Sequence, residues 1–257
     1  MFEPTPANFP LLSLASPTWQ FLETVGSTNE FLATHQKDFE DFGLVVTLDQ
    51  TAGRGRRGRD WLSVRGETLA ISILVPHSAA PRESGALPLV VGSCVLDSLR
   101  EVGVLAAEMK WPNDILVDGR KLAGILCEVV GPQHVAVGVG LNLVSTPRPL
   151  PREDVVSLAE CGVAVDAVLE RVLVRIIELL RVRYANGVAG IADTVWEDFF
   201  ATRMGTLGER VHITQGNDVE WFGQAVGLDR VGRLLVLPEG GQRVRALAAG
   251  DVFHVRG

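Results

Sequence analysis

The sequence predicts a mixed α/β domain followed by a small all-β domain. Three observations favour this fold class. The chain has 257 residues, which is more than one domain of about 150 residues needs. Residues 19–206 alternate apolar strands with helical patterns. From residue 207 the pattern changes to short strands separated by glycine, asparagine and aspartate turns, which is typical of a small β-barrel. We therefore divide the chain into a flexible arm (1–18), a first domain (19–206) and a second domain (207–257).

Capping signals, turn signals and apolar runs predict the elements in order. Ser27 and Glu30 have the spacing of a capping box, so a helix is predicted from Ser27 to about Lys37. Asp118-Gly119 stands between two apolar runs, which predicts a hairpin turn. The other apolar runs predict strands over 19–23, 43–49 and 69–75, a block of strands between 109 and 144, and short strands at 211–214, 219–228, 233–238, 242–247 and 251–255. The remaining residues predict a long loop over 50–66, a proline-rich loop over 146–154, and helices over 84–102, 167–184 and 191–202.

The composition excludes several classes of protein. Hydrophobic residues make up 47% and charged residues 21% of the chain, which is typical of a globular protein rather than a disordered one. The net charge of −7 disfavours a general nucleic-acid binder, because phosphate binding relies on Lys and Arg. No apolar stretch reaches the roughly 18 residues that a membrane helix needs, and residues 1–18 lack the basic leader of a signal peptide. We expect a cytoplasmic protein in which Cys94, Cys127 and Cys161 are buried free thiols.

A loop rich in glycine and arginine is the most unusual segment. Residues 53–59 (GRGRRGR) contain four arginines and three glycines. The glycines match the spacing of a dinucleotide site, but no helical pattern follows and arginine fills every variable position, so we reject this interpretation. A kinase glycine loop is rejected too, because no VAIK or HRD companion exists. Two interpretations stay open: a loop that folds over a phosphate or carboxylate, with Trp61 stacked on a flat base, and an exposed basic patch that solubilises the protein or binds RNA.

A second segment combines a lysine with a carboxylate. Residues 110–114 (KWPND) contain a proline that interrupts a strand pattern, so Asn113 and Asp114 are predicted at a bend. A carboxylate in that position could hold a magnesium ion. Turn chemistry alone would also explain the segment.

Two glycine-containing strands complete the set of candidate segments. Lys121 begins the strand after the hairpin turn, and Gly124 within that strand marks a place where a ligand or another backbone approaches closely. Residues 138–142 (GVGLN) again have glycines inside an apolar strand, followed by the polar Asn142. Sheet packing would explain either strand alone. Together with KWPND they place a lysine, a carboxylate and an amide in one neighbourhood.

The motifs taken together resemble the biotin protein ligase family. They are GSTN (26–29), the GRGRRGR loop with its tryptophan (53–61), KWPND followed by RKLAGIL (110–126) and GVGLN (138–142). They follow the family's order and approximate spacing, and the resemblance covers about residues 19–257. GRGRRG, KWPND and KLAGIL are highly specific when they occur together, whereas any one of them alone would not be.

The resemblance implies both a fold and a reaction. The fold is α/β (α+β), with a mixed β-sheet catalytic domain of the biotin/lipoate ligase type and a C-terminal SH3-like β-barrel. In the first step the biotin carboxylate attacks the α-phosphate of MgATP, which gives biotinyl-5′-AMP and pyrophosphate. In the second step a lysine of a biotin carboxyl carrier protein, from an acyl-CoA or pyruvate carboxylase, attacks the mixed anhydride and releases AMP. Mg²⁺ is the implied cofactor.

The family pattern assigns roles to the residues at matching positions. Lys121 and Arg56 are catalytic candidates that would offset the repulsion between carboxylate and phosphate. Asp114, the third candidate, would bind magnesium or help to deprotonate the incoming lysine. The residues with predicted contacts to biotin are Ser27, Thr28, Asn29, Gln50, Gly53, Arg54, Lys121 and Gly124. The residues with predicted contacts to ATP or the adenylate are Arg56, Arg57, Arg59, Trp61, Lys110, Asn113 and Asn142, with Trp61 packed on adenine and Asn142 hydrogen-bonded to it.

Two neighbouring functions can be separated from this expectation. Family members that also act as repressors carry a winged helix-turn-helix before the STN motif. Only 26 residues precede Ser27, so we expect no repressor function. Lipoate ligation on the related fold is disfavoured by the intact GRGRRG and KWPND motifs. The expected partners are biotin, ATP and a carrier protein, without nucleic acid or membrane, and the chain could be a monomer or a homodimer.

Overall fold

The computed structural model describes residues 9–77, 85–144, 154–185, 202–215, 219–248 and 250–255. The predicted loop over 146–154 and the predicted helix over 191–202 lie almost entirely outside these residues. In the first domain the elements are α1 (Leu12–Ala15), β1 (Trp19–Leu22), α2 (Thr28–Thr34), β2 (Leu44–Thr47), β3 (Gly53–Arg54), β4 (Asp60–Trp61), β5 (Thr68–Pro76), α3 (Leu87–Glu101), β6 (Ala107–Lys110), β7 (Asp114–Val117), β8 (Arg120–Val130), β9 (His134–Asn142) and α4 (Val165–Arg183). In the second domain they are β10 (Arg210–Gln215), β11 (Val219–Leu228), β12 (Leu234–Pro238), β13 (Arg245–Leu247) and β14 (Asp251–His254).

A seven-stranded mixed sheet forms the centre of the first domain, in the order β1-β2-β5-β9-β8-β7-β6. β1 is parallel to β2, and the other neighbouring pairs are antiparallel. Alternate residues of a strand face opposite sides of a sheet. Val46 and Ile73 belong to a large core shared with α3 and α4, whereas Val45 and Leu74 belong to a smaller core shared with α2. Burial on both faces explains the continuous apolar runs, and the predicted mixed α/β fold is confirmed.

Two local predictions are confirmed at atomic detail. The Ser27 hydroxyl accepts a hydrogen bond from the Glu30 backbone N–H at 3.4 Å and so caps α2. The Glu30 carboxylate does not complete the capping box; it pairs with Arg54 at 2.9 Å instead. Asp118 and Gly119 join β7 to β8 with φ of 51° and 73°, the positive values that a two-residue type I′ hairpin requires.

The segment before β1 is more ordered than the sequence predicts. Residues 9–18 belong to the expected flexible arm, but they contain α1, and Phe9 and Leu12 are buried in the large core. Two backbone amides at the start of α1 donate to the carboxylate of Glu170 on α4. The expectation of a flexible arm is therefore wrong for residues 9–18, because this segment buries apolar side chains and bonds to a distant helix.

Five antiparallel strands form the second domain, in the order β13-β12-β11-β10-β14. The two outer strands do not pair with each other within the described residues, so the sheet is confirmed but a closed barrel is not. The five strands agree with the short strands that the sequence predicts from residue 207 onward.

Trp111 joins the two domains. Its side chain is 2% exposed, and its indole N–H donates to the carbonyl of Gly232 at 2.9 Å. Its backbone N–H donates to the hydroxyl of Thr206 at 2.9 Å, and the same hydroxyl lies 3.1 Å from Nε2 of His254. The turn between β6 and β7 is therefore held directly by Gly232 of the second domain and, through the hydroxyl of Thr206, by His254.

The cysteines are unpaired, as predicted. Only Cys94 is fully buried; Cys127 and Cys161 are half-buried. Burial raises the pKa of the Cys94 thiol to about 11 and also raises the pKa values of the other two thiols. Thiols with raised pKa values are poor nucleophiles, so none of the three is a candidate for covalent catalysis.

Within the described residues, no helix combines the length and apolar character needed to cross a membrane.

Candidate active site

A cavity opens between the start of α2, the β3–β4 ribbon, the β6–β7 turn and the strands β8, β9 and β14. It brings together most residues that the sequence predicts for the site. The predicted residues in its lining are Ser27, Thr28, Asn29, Gln50, Arg54, Arg56, Arg59, Trp61, Lys110, Asn113, Asp114, Lys121 and Gly124. The predicted residues outside its lining are Gly53, Arg57 and Asn142.

The start of α2 presents a buried polar wall. Ser27, Thr28 and Asn29 are each 4–5% exposed, because the capped helix begins directly beside the sheet. The backbone N–H of Thr28 donates to Oε1 of Gln50 at 2.9 Å, and the Thr28 hydroxyl lies 3.1 Å from the same oxygen. Gln50 is therefore fixed with its oxygen toward Thr28. Such a wall of fixed hydrogen-bonding groups suits a small polar ring system.

Behind this wall lie two residues that the sequence did not single out. Ser72 on β5 has its hydroxyl 2.6 Å from Oδ1 of Asn29 and 2.8 Å from the Thr28 hydroxyl. Glu128 on β8 accepts a hydrogen bond from Nδ2 of Asn29 at 2.7 Å. Neither residue lines the cavity. A serine inside the otherwise apolar strand TLAISILVP was a signal available in the sequence, but nothing local indicated its partners.

Glycines on two neighbouring strands make room for an indole. A side chain at Gly124 would place its Cβ 2.9 Å from Trp61, and at Gly140 the distance would be 2.5 Å. Both distances are shorter than real Cβ contacts, so the Trp61 ring packs directly on the bare backbone of the two glycines. The predicted close approach at Gly124 is thus an approach by Trp61. The indole N–H has no hydrogen-bond partner among the described residues.

The arginine-rich loop folds as a short ribbon beside the cavity. β3 pairs with β4, and the Gly55 N–H donates to the carbonyl of Arg59 at 2.6 Å. Arg57 is exposed at the apex, with a φ of 58°. The prediction that 50–66 is loop throughout is therefore wrong at the ribbon, because two-residue strands are too short to show a periodic pattern.

Two arginines tie the ribbon to opposite walls. Arg54 pairs with Glu30 on α2 at 2.9 Å, and both side chains are 55% exposed. Nη1 of Arg56 lies 3.4 Å from Oδ1 of Asn113, at the β6–β7 turn. The ribbon therefore places guanidinium groups on two sides of the same cavity, where a bound anion would meet them.

The predicted lysine and carboxylate face each other across β7 and β8. Nζ of Lys121 lies 2.7 Å from Oδ1 of Asp114, and the two side chains are 32% and 25% exposed. The same Nζ lies 5.4 Å from the centre of the Trp61 ring. Within the described residues, no group of three or more His, Cys, Asp or Glu side chains is placed to hold a metal ion.

The two predicted asparagines fix backbone near this pair. Asn113 lies in the bend between β6 and β7, as predicted, and its amide donates to the carbonyl of Ile125 at 2.8 Å. The Asn142 amide donates to the carbonyl of Lys121 at 3.0 Å and to that of Val156 at 3.3 Å. Asn142 thus holds the start of β8, while its predicted contact with adenine stays a prediction.

The second domain supplies one edge of the cavity. Phe253 on β14 lies in the lining, and Nζ of Lys110 is 5.7 Å from the centre of its ring. The His212 ring stacks on Phe222, and its centre lies 6.1 Å from that of Phe253, so two further aromatic rings adjoin this edge of the cavity. The cavity thus combines buried polar groups from the start of α2, cationic side chains and the aromatic surface of Trp61.

Comparison with known proteins agrees with this geometry. The Biotin/lipoate A/B protein ligase family model matches residues 21–142, and the model of the Biotin protein ligase C terminal domain matches residues 206–255. The biotin--[acetyl-CoA-carboxylase] ligase of Mycobacterium tuberculosis is 36% identical, over 94% of this chain and 92% of that protein. The bifunctional ligase/repressor BirA of Escherichia coli is 32% identical, over 85% of this chain and 69% of that protein.

A solved structure supports the same assignment. The biotin protein ligase from Aquifex aeolicus in complex with biotin and ATP has a TM-score of 0.73 and 30% identity, and the match covers 93% of this chain and 99% of that one. The likeness therefore extends through both domains. Since the match covers 92% of the Mycobacterium tuberculosis ligase in sequence and 99% of the Aquifex aeolicus ligase in structure, the chain belongs to the biotin protein ligase family of enzymes.

Proposed function

We propose that this enzyme attaches biotin to a specific lysine of a biotin carboxyl carrier protein through a biotinyl-5′-AMP intermediate. The observation that carries the proposal is the single cavity that combines the polar wall at Thr28, the arginine ribbon and the Lys121–Asp114 pair. Biotin would lie with its ring against the polar wall and its carboxylate toward the cations. ATP would lie with adenine near Trp61.

The first step joins two anions. A biotin carboxylate oxygen attacks the α-phosphorus of ATP, the bond from that phosphorus to the bridging oxygen breaks, and pyrophosphate leaves. Lys121 and Arg56 line the cavity where both anions would meet. A fixed donor aimed at developing charge is typically worth about 3 kcal/mol. Lys121 is already held by Asp114 at 2.7 Å, so its ammonium group is positioned before substrates arrive.

The cavity can hold Mg²⁺ only when ATP supplies phosphate oxygens as further ligands. Asp114 is a single carboxylate in the cavity, and Mg²⁺ commonly takes one or two protein carboxylates plus substrate phosphates. Asp114 would be its protein ligand, and the bound ion would supply charge neutralisation at the phosphates. Asp114 also has a second candidate role, as the proton acceptor in the second step.

The second step needs an amine without its proton. The carrier lysine nitrogen attacks the acyl carbon, the bond to the AMP oxygen breaks, and the amide nitrogen loses a proton. A lysine with an ordinary pKa of about 10.4 is mostly protonated at neutral pH, and a nearby carboxylate stabilises that protonated form. The role open to a carboxylate is therefore to accept the proton of the attacking nitrogen as the new bond forms. Asp114 is 25% exposed at the cavity and is the candidate acceptor.

The remaining expectations complete the proposal. We propose that the boundaries at 19–206 and 207–257 separate a catalytic domain from an SH3-like domain, an interpretation supported by five antiparallel strands between 210 and 254. We propose that the enzyme acts in the cytoplasm on an acyl-CoA or pyruvate carboxylase carrier, because that is where ATP and the family's clients occur.

Mass spectrometry of a biotin carrier domain tests the function. The domain is incubated with this protein, MgATP and biotin, and we expect its mass to rise by about 226 Da, the increment of an amide-linked biotin. Omitting ATP, omitting biotin or replacing the carrier lysine with arginine should each abolish the increase. A mass increase with lipoate but not with biotin would reassign the substrate, and no adduct with either would overturn the proposal.

A further inference from the structure

The hydrogen bonds behind the polar wall run in one direction. This inference rests on the proposed function, because it concerns how that wall recognises the biotin ring. Glu128 and the carbonyl of Leu126 lie 2.7 Å and 3.3 Å from the amide of Asn29. Both oxygens can only accept. The end of the Asn29 amide that faces them must therefore be the NH₂ group.

The direction continues through Ser72. Because its NH₂ end is taken, Asn29 turns its oxygen to the Ser72 hydroxyl, 2.6 Å away. Ser72 has a single hydroxyl proton, which it donates to Oδ1 of Asn29. The Ser72 oxygen can therefore only accept a hydrogen bond from the Thr28 hydroxyl, which lies 2.8 Å away. The amide packs closely on the bare backbone of Gly138, where a Cβ would lie 2.7 Å from its oxygen.

The chain ends at the cavity. The Thr28 hydroxyl has two neighbours that can take its proton, Ser72 at 2.8 Å and Oε1 of Gln50 at 3.1 Å. The Gln50 oxygen already accepts from the Thr28 backbone N–H, so it too faces Thr28 as an acceptor. Whichever neighbour takes the proton, the Thr28 hydroxyl offers lone pairs to a ligand. A ring N–H of a cyclic urea fits that requirement, and a ring oxygen does not.

We propose that Glu128 is a positioning residue that sets this polarity and so selects a ring that donates a hydrogen bond at Thr28. It is the only charged acceptor in the chain of contacts among the described residues, and charge-assisted hydrogen bonds are about twice as strong as neutral ones. The carbonyl of Leu126 is more distant and uncharged. Without Glu128 the Asn29 amide loses the stronger of the two contacts that orient it.

Two substitutions of Glu128 distinguish a role in orienting the Asn29 amide from a role in packing alone. Glu128→Gln keeps a side-chain oxygen that can accept from Asn29, whereas Glu128→Leu keeps similar bulk without an acceptor. Biotin dissociation constants are measured by titration calorimetry. We expect Glu128→Leu to weaken biotin about tenfold or more, as loss of a charge-assisted contact does, and Glu128→Gln to stay within about threefold of the wild type.

A ligand change provides the decisive readout. The same proteins are titrated with the two cyclic carbamate analogues of biotin, each of which has oxygen in place of one ring N–H. We expect the wild type to disfavour one analogue strongly and Glu128→Leu to lose most of that discrimination. Equal weakening of biotin and both analogues by Glu128→Leu would mean a structural role and overturn the proposal, as would unchanged binding. Failure of the wild type to bind biotin would instead overturn the proposed function.

Discussion

Replacing Trp111 with phenylalanine tests how the second domain supports the site. The ring is 2% exposed, and its N–H donates to the buried carbonyl of Gly232 at 2.9 Å. A buried acceptor left without its partner costs about 1–3 kcal/mol, and the smaller ring leaves a cavity worth about 1 kcal/mol more. We therefore expect Trp111→Phe to lower the free energy of unfolding by about 2–4 kcal/mol.

Urea denaturation measures that change, and the chain offers a matched control. With a slope of about 3 kcal/mol per molar urea, the midpoint should fall by about 1 M. Trp221 lies on β11 of the second domain, and its buried indole N–H has no partner among the described residues. Trp221→Phe should therefore shift the midpoint much less. Equal shifts for the two variants would show that the bond to Gly232 contributes nothing and would refute the reasoning.

The same variant should also affect the site, because Trp111 belongs to the turn that carries Lys110, Asn113 and Asp114. We expect its KM for ATP to rise more than its KM for biotin. The comparison is made at a temperature where both variants are fully folded. A rise in the KM for biotin alone would contradict the interpretation that this turn serves the nucleotide.

The remaining predictions concern the cations and the ribbon. Lys121→Ala should slow biotin-dependent exchange of label between pyrophosphate and ATP by about 100-fold, since a fixed donor is worth about 3 kcal/mol; an unchanged exchange rate would refute the role. Arg56→Gly removes a contact to Asn113 at 3.4 Å and should release free adenylate that labels bystander proteins, so bystander labelling equal to that of the wild type would exclude a retaining role. Residues 50–66 should gain amide-exchange protection when biotin or the adenylate binds, because the ribbon has few backbone bonds of its own, and equal protection in both states would count against a closing loop.

Short sequence signals were enough to predict the helix cap and the hairpin turn. The Ser27 cap and the Asp118-Gly119 turn depend on residues within four positions of each other, and both are confirmed. The cap and the turn are features that a single chain segment can specify by itself. The residues of the cavity lining were instead predicted through the resemblance of four separate motifs to a known family, because no local pattern shows that these motifs meet.

Long-range contacts account for what the sequence could not predict. Asn29 and Glu128 are 99 residues apart, and Ser72 is 43 residues from Asn29. Their pairing depends on the register of β5, β9 and β8, which no local pattern encodes. The burial of Phe9 likewise needs a core that other segments build. The ribbon was missed for a different reason: each of its strands has only two residues, a single period, which is too short to show alternation.

The ion pair between Glu30 and Arg54 connects the helix that carries the polar wall with the β3–β4 ribbon. Glu30 lies in the first turn of α2, where a negative charge favours the helix, and the same carboxylate holds the ribbon. A ligand that pulls Arg54 away therefore alters the charge beside the ring-binding wall. Since both side chains are 55% exposed, the pair is worth at most about 1 kcal/mol. Cooperation between the two substrates that travels through this contact is limited to about fivefold and should fade as ionic strength rises.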